Sequence, residues 1–184
     1  VRSLGLDFIE IPLMRLDLFD PKAVRERLDG FEATTSTVLL AEDVDITSFN
    51  EACRKNGVKY LKDCVKATAE AGAKSFSGVI YSQYLKPAKS MPTEQEWEFS
   101  ASCLKEVARY AADLGVSIGV EPVTRYESYL LNTSEQAVRL CDMIDEPNVF
   151  IHLDSYHMNV EEKSFYEAIK TAGSRLRNFH MCEN

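Results

Sequence analysis

The sequence has no C-x-x-C pair, no apolar run near the ~18 residues of a membrane-spanning helix, and no charged-then-apolar opening. These absences argue against a paired-cysteine zinc or redox site, a transmembrane segment and a secretory leader. Basic residues are also outnumbered, with 21 Lys and Arg against 29 Asp and Glu. The resulting charge of −8 repels phosphate backbones and anionic membrane surfaces, so neither nucleic acid nor a membrane is an expected partner. The five cysteines, Cys53, Cys64, Cys103, Cys141 and Cys182, are odd in number and spread about one per element. They read as small core residues in a reducing compartment, and a soluble, cytoplasmic protein is expected. The chain opens on Val1, and its last four residues, Met181 to Asn184, follow directly on an apolar run. Both ends are expected to be cut.

What is present is an ordinary folding composition: 184 residues, 45% apolar and 27% charged, enough for one domain or the larger part of one. Helix starts recur. Asp20-Pro21 is an N-cap with proline at the first position, and Ser48…Glu51, Thr93…Glu96, Thr133…Gln136 and Ser164…Glu167 have the capping-box spacing. Gly30, Gly72, Gly115 and Gly173 stand where such helices need a stop. Five helices are therefore expected. Between them lie short apolar runs at Leu6–Ile11, Thr35–Leu40, Ser75–Tyr81, Val116–Val120, Val149–Leu153 and Leu176–Met181. Strand and helix alternate, which predicts βαβ units and a parallel sheet. The strand ends recur roughly every 34 residues, so eight units would need about 270.

Periodicity alone does not separate a doubly wound sheet from a (β/α)8 barrel, but the polar residues do. Glu121 shares a face with Gly119 and Ser117, and Asp154 shares one with His152. Acidic groups at the carboxyl ends of several strands are the arrangement of barrel enzymes. Three segments carry the chemistry: Gly119-Val120-Glu121-Pro122 with Arg125-Tyr126-Glu127, Leu153 to Asn159, and Phe179 to Asn184. Two carboxylates and an imidazole from three strand ends suit a borderline-hard divalent ion such as Mn²⁺, Mg²⁺ or Co²⁺, with zinc less favoured for want of thiolates.

These residues resemble the D-tagatose (D-psicose) 3-epimerases of the xylose-isomerase-like barrels. The likeness is carried by Glu121-Pro122-Val123-Thr124-Arg125-Tyr126-Glu127, by Leu131-Asn132-Thr133, and by Leu153-Asp154-Ser155-Tyr156-His157-Met158-Asn159 with Glu161-Glu162 following. A weaker match is Gly78-Val79-Ile80-Tyr81-Ser82. The resemblance implies an α/β fold, an incomplete TIM barrel of about six βα units, strands two to seven, forming a single partial domain over 1–184. It implies Glu121, Asp154 and His180 as metal ligands, Mn²⁺ foremost, with Glu121 also catalytic as an acid/base. It further implies Glu127 and His157 as contacts to ketose hydroxyls. A fourth ligand glutamate, the partner acid/base, and an arginine of the family pattern lie outside this sequence.

The activity implied is C3 epimerisation of a free ketose: a proton leaves the carbon beside the C2 carbonyl, an enediolate forms, and a proton returns to the opposite face. The resemblance also implies a homo-oligomer, dimer or tetramer, acting on a small ketose, and this stretch alone is expected to be inactive. Alternative readings are a hydroxypyruvate isomerase or inosose dehydratase type sharing the metal cage, or a non-catalytic barrel fragment. An apurinic-site endonuclease needs more histidines than the three present. His152 reads as a satisfied core histidine, Glu10 as a polar support or a structural ion pair, and Glu161 and Glu162 as a solvated helix start.

Overall fold

The structure, a computed structural model, describes residues 4–39, 41–87 and 90–183. Leu40, the expected end of the second strand, and Asn184 lie outside them. Six parallel strands form one sheet: β1 (Phe8–Pro12), β2 (Glu32–Leu39), β3 (Ser75–Gln83), β4 (Ser117–Val120), β5 (Val149–Asp154) and β6 (Leu176–His180). They pair in chain order, β1-β2-β3-β4-β5-β6, with no strand skipped. A doubly wound sheet would reverse its order at a switch point, so this order is that of a barrel. The sheet is curled far enough for its two edges to meet through side chains. Asn178 Nδ2 and His180 Nε2 on β6 each lie 3.1 Å from Glu10 Oε2 on β1. The result is a partial TIM barrel.

Burial follows position in the sheet. The central β3 is buried from Phe76 to Ser82 and β5 throughout, as expected of parallel strands covered on both faces, whereas β1 and β6 are only partly covered. The outer strands are also shorter than their apolar runs, since Leu6 and Met181 are exposed and fall outside any strand. Gly119 has a specific duty. A Cβ there would run into the Phe150 ring and stand 2.8 Å from Ser77 Cβ, so only glycine lets the side chains of β3 and β5 close over β4.

Six α-helices are present among the described residues: α1 (Pro21–Leu28), α2 (Glu51–Glu70), α3 (Glu94–Asp113), α4 (Ser134–Ile144), α5 (Ser155–Glu161) and α6 (Phe165–Ala172). Thr93 and Thr133 form full capping boxes with Glu96 and Gln136, and Asp20 caps α1 through the amides of Lys22 and Ala23. The start of α2 differs from expectation: Asn50 is its cap, accepting from the Ala52 amide, while Ser48 accepts from the Asn50 amide in the turn before. The sixth helix, α5, went unexpected because it starts on the residue after β5, with Asp154 serving as both strand end and cap. Glu161 and Glu162 consequently end a helix rather than start one. Leu61 and Val65 of α2, Leu104 and Val107 of α3, and Leu140 and Ile144 of α4 join Ile118, Ile151 and Leu153 in the main core. Full burial contributes about 1.5–3 kcal/mol for each such side chain. Cys64 and Cys141 are core residues as expected, but Cys182 is exposed.

The loops at the carboxyl ends are tied together by a polar network around Asp45, which is 3% exposed. Its Oδ1 accepts from the amides of Thr47 (3.0 Å) and Gln83 (3.1 Å), and Oδ2 from Lys86 Nζ (2.8 Å). Lys86 also reaches Tyr129 OH at 3.2 Å, and Tyr129 donates to Glu96 Oε1 at 2.9 Å. Burial tends to raise the Asp45 carboxyl, but hydrogen bonds from Lys86 and Thr47 outweigh it and hold the group below its ordinary value. Lys86 is displaced upward, burial opposing and Asp45 prevailing. Asp45→Asn should cost about 2 kcal/mol at neutral pH, by leaving Lys86 poorly compensated. A carboxyl lowered on folding stabilises above its unfolded value and loses this as pH falls through the folded one. Lys86, raised on folding, keeps its contribution until pH climbs through its folded value. Urea unfolding of parent and variant should therefore show a constant gap at neutral pH that narrows below about pH 4; an undiminished gap at pH 3 would contradict the account.

Candidate metal centre

Parallel register sets Asp154 opposite His180 at the ends of β5 and β6, and Glu121 follows directly on β4. His180 is the hub. Its Nδ1 lies 3.4 Å from Asp154 Oδ2 and 3.9 Å from Glu121 Oε1, and its Nε2 faces Glu10. Asp154 Oδ1 is occupied as the α5 cap, accepting from the Tyr156 amide at 2.7 Å, which aims Oδ2 at the imidazole. Donor atoms of Glu121, His152 and His180 lie within 4.8 Å of one another, as do those of Glu121, Asp154 and His157. The structure thus brings the three sequence-derived ligand residues together around one ring, although no single donor group among the described residues contains all three; His152 joins Glu121 and His180 in one, and His157, expected as a substrate contact, joins Glu121 and Asp154 in the other.

His152 differs from the satisfied core residue expected. It is fully buried, Nδ1 lies 3.2 Å from Ser77 Oγ and 3.7 Å from Glu121 Oε2, and Nε2 has no hydrogen-bond partner among the described residues. Its ring meets that of His180 edge to face, centroids 4.0 Å apart. Burial, reinforced by the charge of His180, takes it down to about 3, so it is neutral.

The remaining groups carry surplus negative charge. Burial pushes Glu121 up to about 8; His180 opposes, while Asp154, Glu10 and Glu127 add to the rise. Burial would also raise Asp154, but hydrogen bonds from His180 and the Tyr156 amide bring it to about 2. Hydrogen bonds to Asp154 and Glu10 lift His180 to about 10. Several carboxylates compete for one proton-bearing imidazole, and a divalent cation would satisfy the same charge while displacing that proton. Oxygen and imidazole donors in this proportion fit Mn²⁺, Mg²⁺ or Co²⁺.

Glu127 stands beside His157 at the border of this cluster, with Glu127 Oε1 3.8 Å from His157 Nδ1. The Thr124 amide donates to His157 Nδ1 at 3.3 Å, leaving Nε2 to carry the proton. Tyr84 OH donates to Glu127 Oε2 at 2.9 Å. The loop holding Thr124 and Glu127 is clamped by Glu161, whose carboxylate accepts from the Arg125 amide (2.8 Å) and its Nη2 (2.6 Å). Glu162 accepts from the Ser134 amide at 2.6 Å. Sequence reasoning missed Tyr84 and Thr124 as supports and misjudged Glu161; the motif around Arg125 contained the one usable signal, an arginine needing a carboxylate. A cavity of about 620 Å³ lies at the opposite, amino-terminal end of the strands, lined by Phe8, Phe31, Thr34, Phe150 and Asn178 among others. The titratable cluster is at the carboxyl end, where barrel enzymes place their chemistry.

The chain belongs to the xylose isomerase-like TIM barrel family, which matches it over residues 1–184. Among its relatives are a ketose 3-epimerase of Arthrobacter globiformis, 36% identical over all of this chain and 63% of that protein, and an L-ribulose 3-epimerase of Methylomonas sp. (strain DH-1), 32% identical over 98% and 63%. The crystal structure of a D-allulose 3-epimerase from Methylomonas sp. superposes with a TM-score of 0.92 at 31% identity, covering 98% of this chain and 63% of that one. The chain thus spans less than two thirds of the length of these relatives.

If the cluster takes a cation, Mn²⁺ at about a hundredfold over its Kd should stabilise the full-length protein by about 2.7 kcal/mol, and chelation should reverse the gain. Thermal unfolding with and without EDTA measures this, and Asp154→Asn should abolish the shift. No response to Mn²⁺, Mg²⁺ or Co²⁺ would remove the metal from the site.

Proposed function

We propose that the protein containing this chain is a metal-dependent ketose 3-epimerase, an isomerase of free sugars, of which 1–184 is a single partial domain. The observation that carries this is the convergence of two carboxylates and an imidazole at the carboxyl end of the sheet, with Asp154 Oδ2 3.4 Å and Glu121 Oε1 3.9 Å from His180 Nδ1. A carboxylate at such a site can both help hold a divalent cation and exchange a proton with a substrate carbon beside it.

In this reading Glu121, Asp154 and His180 hold the ion, Mn²⁺ foremost, which when bound supplies Lewis-acid polarisation of the ketose carbonyl. Glu121 takes the proton from C3 on one face. The partner acid/base that the resemblance implies, on the opposite face, is not among these residues. Glu127 accepts from a ketose hydroxyl while Tyr84 and Thr124 hold its carboxylate in place. His157 donates through Nε2, its other nitrogen being fixed by the Thr124 amide. Five free thiols support a reducing, cytoplasmic setting, and a dimer or tetramer is the assembly inferred.

The test is incubation of the full-length protein with Mn²⁺ and a panel of free ketoses, followed by chromatography of the products. C3 epimers are expected; interconversion of aldose and ketose, or loss of water, would replace this reading with an isomerase or dehydratase. Glu121→Gln should lower turnover by at least a hundredfold, and activity retained within tenfold, about 1.4 kcal/mol of barrier, would sink the acid/base role. The 184-residue chain assayed alone beside the full-length protein should show no comparable turnover, because one acid/base serves only one face of the carbon.

A further inference from the structure

Glu10 has no part in the roles assigned above, yet its carboxylate is the group that meets the far side of the His180 ring. It faces inward from β1, with Oε2 3.1 Å from His180 Nε2 and 3.1 Å from Asn178 Nδ2. The opposite ring nitrogen, Nδ1, is the one turned toward Asp154 and Glu121. An imidazole that offers a lone pair from Nδ1 must carry its hydrogen on Nε2, and an acceptor at Nε2 selects that tautomer. His180 needs such an acceptor. It sits on an edge strand, half-buried, and its other ring neighbour, His152, packs against it edge to face without an N–H to O bond to hold it.

We propose that Glu10 is a positioning residue: by accepting the Nε2 hydrogen of His180 across the open edges of the sheet, it turns Nδ1 toward a divalent cation shared with Glu121 and Asp154. The inference rests on the metal-dependent reading above and extends it to a residue on the other edge strand. Asn178 supplies the internal control, since it bonds the same oxygen and joins the same two strands without touching the imidazole's tautomer.

The experiment uses the full-length protein, with Mn²⁺ affinity read by calorimetric titration and the hydrogen bond of the His180 Nε2 proton by its ¹H shift and solvent exchange in NMR of the Mg²⁺-loaded form. Glu10→Ala should weaken Mn²⁺ binding by about 10- to 100-fold and leave the Nε2 proton shifted upfield and exchanging faster. Glu10→Gln, which keeps an acceptor oxygen, should retain the downfield, protected proton and recover most of the affinity. Asn178→Ala should lower the unfolding midpoint yet leave Mn²⁺ affinity within twofold. Should Glu10→Ala not fold, Glu10→Met, of similar volume and without an acceptor, carries the same expectation. Mn²⁺ affinity within twofold of the parent after loss of the acceptor, or an equal loss in Asn178→Ala, would overturn the inference alone. A parent protein that takes up no Mn²⁺ would overturn the metal reading beneath it, and the inference with it.

Discussion

Everything at the carboxyl end of this sheet depends on parallel pairing in unbroken chain order. Because each strand lies beside its predecessor and points the same way, the residues that end β4, β5 and β6 all arrive at the same end of the sheet. Curvature then turns neighbours along an edge into neighbours around a ring. Glu121, Asp154 and His180 are separated by tens of residues in the chain, and they converge without any loop having to carry them there. Like charges gathered in this way repel one another, and the resulting instability is what a bound cation or a proton offsets.

The fold was legible because its signals are local. Capping boxes at Thr93 and Thr133, the proline after Asp20 and the apolar strand runs each follow from interactions within a few residues. The parallel sheet follows from their alternation. Where reading failed, a single residue served two elements. Asp154 ends β5 and caps α5 without an intervening loop, so no turn marks the boundary. The same compression hid the roles of Glu161 and Glu162, which look solvated in the sequence and instead hold the Arg125 amide of the loop between β4 and α4 and the first amide of α4.

The candidate site was legible in residue type and less so in its supports. Glu121, Asp154 and His180 stand out at strand ends, while His152 and Glu10 are visible only as inward positions. Whether an inward histidine is satisfied depends on partners from other strands, here Ser77 on one nitrogen and none among the described residues on the other. Glu10 is in the same position, since its partner comes from the sixth strand and no local pattern predicts which pairs will meet across a curled sheet.

That contact has a bearing on the order in which the molecule is built. Sheet pairing joins segments adjacent in the chain, so each βα unit can dock on the one before it as synthesis proceeds. Glu10 and His180 are 170 residues apart, and their meeting must wait for the last strand described. A nascent chain can therefore be largely folded while Glu121 and Asp154 still lack the His180 imidazole, which arrives only with β6.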